Sequence, residues 1–452
     1  MRAQELARAA LEAADGEAEA VAQVESSGLA RFAGSEVHQP TLIENAVVTL
    51  RVVRDSRAGM ATTNKIDSHG LAALARRATE AAENAPPDEK FPGLAPPAEP
   101  PYVDGYDEET ALLGPDEQAR RAAVAIEAAG DFPVYGFFTS AVCDLAIASS
   151  TGLALDQHMT DATALVLAAD DKGSGYAERT AWRAGSIEPA LVTRTAVEKA
   201  ERTKNAVGLE PGVYRAVLEP YAFAELLQYL SYDSFGALGL LEERSYFTGK
   251  LGQGVFDDKI SIADDALDPR GFPKAFDFEG TPKQRVTLVE RGVARGVVWD
   301  RVTAAQAENG ATSTGHAPPL DSRDWGPLPY ALSVAPGESP SVEDLAQLVG
   351  DGLYVTRLHY LGVVDPREGI VTGMTRDGTF RIRNGAIAEP LVNLRFTVAV
   401  PEFLREVYGL TREPVLVNSQ SFYGERYPYG AMVPAIASAH FAVTGLGSQP
   451  GI

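Results

Sequence analysis

Six histidines, at 38, 69, 158, 316, 359 and 440, are the side chains best suited to hold a metal or move a proton near neutral pH. A zinc peptidase commonly takes two of them from one helical turn, with a glutamate beside the first as general base. No histidine here has a second within a few residues, so no helix presents two imidazoles on one face. A zinc site gathered from distant histidines stays open on chemistry alone. His440 lies in an apolar run and reads as a core residue. The single cysteine, Cys143, excludes an intrachain disulfide and any multi-cysteine metal site. In the strand-like run 140–148 it reads as a buried, inert thiol.

The acids offer a second chemistry. Asp277 and Glu279 stand at i, i+2, which on a strand turns both carboxylates to one side, where they could do acid–base or metal work. A solvated edge, or pairing with Arg285, is the commoner fate of such a pair. Asp264-Asp265 reads as a turn. The serine elbow Gly-x-Ser-x-Gly does not occur, and Gly173-Ser174-Gly175 reads as a flexible turn. Gly249 to Gly254 has glycines, but neither the spacing nor the Lys-Ser/Thr ending of a phosphate loop.

Composition narrows the partners. A net charge of −22 disfavours nucleic acid and anionic membranes, both of which need clustered Lys and Arg. No stretch approaches the roughly 20 apolar residues of a membrane span. The opening residues Met1 to Leu6 lack the apolar core of a secretion signal, so a cytoplasmic protein is expected. The 452 residues, 45% of them hydrophobic, suffice for roughly two or three folding units.

Periodicity gives the elements that would position these side chains. A helix is expected over 2–14, strands over 18–25, 29–33 and 46–53, and a helix over 68–84 capped by Ser68. Prolines at 86, 87, 92, 96, 97, 100 and 101 make 84–102 an extended surface connector. A helix over 115–129, strands over 134–148 and 162–168, and a helix over 187–204 follow. After the break at 208–212 come a strand over 213–218 and a helix over 221–232, and then mostly short strands. Asn384-Gly385 is a hairpin turn, and short helices are expected over 341–349 and 401–408. The fold class expected is α+β. An N-terminal α/β domain with mixed sheet and helices spans 1–205, and a β-rich domain of curled antiparallel sheets spans 206–452.

The order of short motifs adds a resemblance. Arg31-Phe-Ala-Gly-Ser-Glu-Val-His-Gln39, Ala61-Thr-Thr-Asn64, Ser245-Tyr-Phe-Thr-Gly-Lys-Leu-Gly252, Asp277-Phe-Glu-Gly280, Ala311-Thr-Ser-Thr-Gly315 and Thr372-Gly-Met-Thr-Arg-Asp-Gly378 follow one another along nearly the whole chain. In order and spacing they resemble the TldD/PmbA peptidase family. Its TldD-like members carry a His-Glu-x-x-x-His helix with a distal cysteine that holds zinc, and its TldE-like members lack these ligands. The equivalent helix here, Tyr221 to Tyr229, keeps Glu225 without a flanking histidine, and Glu225 reads as an exposed helix acid.

The resemblance implies a TldE/PmbA-like subunit with no catalytic residue, metal or cofactor of its own. Zinc would sit in a TldD-like partner, and the heterodimer would degrade or process small unfolded peptides. This chain would bind peptide backbone along a chamber wall. His359, Tyr360 and Arg376 are the expected substrate-binding residues, with Arg357, His359 and Leu361 on one strand face and Leu358 and Tyr360 on the other. The alternative is a free-standing homodimeric peptide-binding protein, or a repurposed biosynthetic one, with metal-independent chemistry at His359, Arg376 or the Asp277/Glu279 pair.

Overall fold

The computed structural model describes residues 2–420 and 425–451, with the side chain of Gln39 excepted. Met1 and the side chain of Gln39, which closes the Arg31–Gln39 motif, therefore lie outside the described residues.

The N-terminal half is built on a six-stranded sheet of β1 (Glu17–Ala33), β2 (Glu36–Arg54), β3 (Arg57–Thr63), β4 (Val134–Ser149), β5 (Ala154–Ala169) and β6 (Ser174–Ala181), in the order β3-β2-β1-β4-β5-β6. Strands that read as separate runs at 18–25 and 29–33 are one long β1. Every pairing is antiparallel, which corrects the mixed N-terminal sheet expected from sequence. Tight turns such as Gly34-Ser35 and Asp55-Ser56 can join only antiparallel neighbours.

Five helices accompany this sheet: α1 (Ala3–Glu12), α2 (Ser68–Asn84), the short α3 (Glu108–Ala111), α4 (Pro115–Glu127) and α5 (Pro189–Arg202). Asp67, not Ser68, caps α2, accepting the Gly70 N–H at 2.7 Å. The two faces of the sheet follow the period of two. Even-numbered Ala18, Ala20, Ala22, Ala146 and Ala148 meet Leu6, Leu71 and Leu74 of the helices. Odd-numbered Val21, Cys143, Leu145 and Ile147 meet Phe276, Phe278 and Tyr427 of the C-terminal half. No helix or strand forms between α2 and α3; Arg301 holds that proline-rich connector through the carbonyls of Pro92, Gly93 and Leu94.

In the C-terminal half, β7 (Gly212–Leu218), β12 (Gly352–Asp365), β13 (Ile370–Arg383), β14 (Ala386–Pro390), β15 (Leu394–Ala399) and β19 (Ile436–Leu446) run in the order β12-β7-β19-β15-β13-β14, with β16 (Val407–Leu410) on β19. Because β12 also pairs with β13, five of these strands close into a ring. A second sheet contains β8 (Ile262–Asp264), β9 (Val286–Glu290), β10 (Val293–Ala294), β11 (Leu332–Val334), β17 (Val415–Asn418) and β18 (Gly430–Val433). Parallel pairings occur here, between β7 and β12 and between β11 and β18. The α+β class and the β-rich C-terminal half are as expected.

Helix α6 (Pro220–Ser234) leaves the end of β7 and buries Phe223, Leu226, Leu227 and Leu230 in the largest core. Only Val400–Phe403 of the helix expected over 401–408 forms, because from Val407 the chain pairs with β19 instead.

Candidate functional site

The leucine stripe of α6 fixes which residues the helix shows on its other side. Glu225, Gln228 and Tyr232 stand at i, i+3 and i+7, one face opposite the buried one. This face floors a groove with two compartments.

The first is a polar cavity of about 200 Å³, walled by Tyr176 and Glu178 of β6, Glu225 and Gln228 of α6, Arg357 of β12, and Asn418 to Gln420. Glu225 is largely buried, which corrects its reading as an exposed helix acid. The leucine stripe turns it under β12, where burial pushes its carboxyl up to about 7 against the opposing pull of Arg357 and the Leu358 N–H. Arg357 donates to Asp377 Oδ2 at 2.7 Å, and its guanidinium lies 4.0 Å from the centre of the Tyr176 ring. Glu178 accepts from the Tyr176 hydroxyl at 2.8 Å and the Asn418 N–H at 3.1 Å; burial raises its pKa too. Gln420 donates its Nε2 to Asp161 at 3.0 Å, while its buried Oε1 takes no partner among the described residues.

Gln228 and Ser419 are shared with a second cavity of about 510 Å³. Its walls are aromatic: Tyr229, Tyr232, Trp325, Tyr330 and Tyr429. Tyr330 and Tyr429 meet edge to face at 5.2 Å, as Tyr229 and Tyr232 do at 5.6 Å. Trp325 stands at the rim, 64% exposed.

The residues singled out from sequence fall elsewhere. His359, Tyr360 and Arg376 lie on the β12–β13 hairpin and line neither compartment. Register shifts on either side of them break the simple alternation of faces. Tyr360 adopts φ +52° and is 78% exposed. Burial, then the charges of Arg357 and Arg376, lower the pKa of His359. Of that strand segment, Arg357 reaches the polar cavity.

Asp277 and Glu279 are buried, not solvated, and Arg285 pairs with Asp265 at 3.2 Å instead. Asp277 caps a turn, accepting the N–H groups of Glu279, Thr281 and Ala317. Glu279 lies 3.7 Å from Arg51. Asp264 closes β8 and holds buried His316 at 2.8 Å, so the Asp264-Asp265 turn is also revised. His440 is no core residue: a bulge in β19 gives it φ +64° and turns it out to Glu406 at 3.2 Å. Cys143 is buried as expected.

The pattern of the PmbA/TldA metallopeptidase C-terminal domain matches residues 211–445, and that of PmbA/TldA metallopeptidase domain 1 matches residues 18–82. The chain belongs to the TldD/PmbA family. Its fold is similar to that of TldE from Thermococcus kodakarensis, with a TM-score of 0.84 at 20% identity over 98% of this chain and 99% of that one. A metalloprotease of Methanothermobacter thermautotrophicus is 26% identical over 260 residues, covering 54% of each chain. A metalloprotease TldD homolog of Haemophilus influenzae is 25% identical over 267 residues, 58% of this chain and 54% of the relative. The chain thus aligns with about half the length of these two curated relatives.

The family name implies a metal, and zinc, the one expected from the resemblance, does not fit what α6 offers. The one carboxylate that α6 gives the polar cavity faces the fixed positive charge of Arg357, and the second carboxylate there, Glu178, is taken up by the Tyr176 hydroxyl and the Asn418 N–H. Among the described residues no three His, Cys, Asp or Glu side chains gather as a ligand set.

Of the groove residues, the sequence singles out Glu225 and Arg357. The remaining signal was the polar and aromatic face of α6 opposite its leucines. Nothing local in the sequence links Tyr176, Tyr330 and Tyr429 to it.

Proposed function

We propose that this chain is the zinc-free, peptide-holding subunit of a TldD/TldE-type heterodimeric metallopeptidase that degrades or processes short unfolded peptides. A TldD-like partner carries the zinc and the hydrolytic step, and this chain binds and orients the peptide. The observation that carries the reading is the face of α6. A family peptidase helix would offer imidazoles there, and this one offers Glu225 beside Arg357 on the floor of a groove with cavities of about 200 and 510 Å³. The likeness to TldE extends over nearly the whole of both chains and supports the subunit type at the level of fold.

The rival reading, independent chemistry at Asp277 and Glu279, loses support. Both are buried, Asp277 is committed to three backbone N–H groups, and Glu279 faces Arg51. The deciding experiment is hydrolysis of an unfolded peptide by this chain, by a TldD-like partner and by the mixture, with zinc assayed on each. Activity confined to the zinc-bearing mixture is expected. Turnover by the pure, zinc-free chain would overturn the reading.

A further inference from the structure

The two compartments differ in a way that bears on which peptides the groove prefers. The polar one is small, and its Glu178 and Arg357 are already engaged with Tyr176, Asn418 and Asp377. The aromatic one is more than twice as large, and its phenols are under-used: the hydroxyls of Tyr330 and Tyr429 have no hydrogen-bond partner among the described residues. Rings that wall a cavity offer faces and edges to another ring, and free hydroxyls offer bonds to a neighbouring peptide carbonyl. Trp325 and Val363 stand exposed at its mouth, so the apolar lining continues to the surface.

We propose that this compartment is a side-chain pocket for an aromatic residue, so that the subunit selects peptides containing Phe, Tyr or Trp. The inference rests on the peptide-holding reading above and adds the substrate class. Helix α6 sets the register. From Glu225 to Tyr232 it rises about 10 Å, the span of about three extended residues. A tetrapeptide laid along the helix therefore reaches from the polar cavity to the aromatic pocket.

The test uses the 452-residue chain alone and three neutral probes, acetyl-Gly-Gly-Gly-Phe-amide and its Leu and Ala counterparts. Binding is followed by calorimetry and by tryptophan fluorescence. The Phe peptide should bind about tenfold tighter than the Ala peptide, with Leu between them. Trp325→Ala, at an exposed rim position, and Tyr229→Ala should each erode that preference, weakening the Phe peptide several-fold more than the Ala peptide. Equal binding of the Phe and Ala peptides would overturn the inference, as would a Phe preference untouched by both substitutions. Cleavage by the mixed subunits with no aromatic preference would sink this inference alone. An aromatic preference of the lone chain, with no cleavage by the mixture, would sink the subunit reading alone.

Discussion

Burial under β12 ties the charge of Glu225 to the stability of the fold. A carboxyl pushed up to about 7 is neutral in the folded chain over a range where the unfolded chain, near 4.5, has already ionised. Folding therefore takes up a proton between these values. The stability due to this group is complete below about 4.5, falls as pH rises and levels off above about 7, a loss of up to about 3 kcal/mol. Glu225→Gln keeps an acceptor for the Leu358 N–H and has no charge to desolvate. It should remove that part of the pH dependence and unfold at higher urea than the parent at pH 8, with little difference at pH 4. Urea titrations at the two pH values measure this. The leucine stripe alone could have placed Glu225 at a boundary, but what covers it comes from β12, more than a hundred residues away.

At the scale of elements, the α5–β6 contact decides whether the groove keeps its shape. Gly175 lies so close to α5 that a Cβ there would meet the Ala196 carbonyl oxygen at 2.1 Å and the Ala200 nitrogen at 2.4 Å. Both are backbone atoms in a helix and cannot step aside. Gly175→Ala should cost about 1–3 kcal/mol in thermal unfolding and weaken peptide binding as well, because the next residues of β6 are the groove's Tyr176 and Glu178. Elements of this kind were largely legible. The bounds of α2 coincide with its periodic run, and Asn384-Gly385 makes the expected turn with both residues at positive φ. The failures came where pairing with a remote strand overrode local pattern, as at 401–408 and His440. The groove was legible on α6 and at Arg357 of β12, while its remaining walls come from β6, the approach to β11 and residues at the end of β17 and the start of β18.

For the whole molecule, the question is what holds the two halves face to face. Much of the contact is apolar, but buried ions pin it. Arg51 of β2 lies between Glu19 of β1 at 2.8 Å and Glu279 of the C-terminal half at 3.7 Å. Asp161 of β5 takes the Arg426 Nε at 3.0 Å. Arg51→Met would leave two acids buried without their cation, and a destabilisation of about 3–5 kcal/mol is expected in denaturant unfolding. Neutralising both acids in that background, with Glu19→Gln and Glu279→Gln, should recover most of it. A loss that persisted in the triple variant would assign the effect to the packing of the Arg51 stem.

Cys143 extends this to motion. Its thiol is the only one in the chain and faces the seam between the halves. A thiol reagent can reach it only when that seam parts, so the rate of its alkylation is a clock for the opening. Compared between the parent and Arg51→Met, the same rate would separate sub-global opening from complete unfolding, with no probe introduced into the protein.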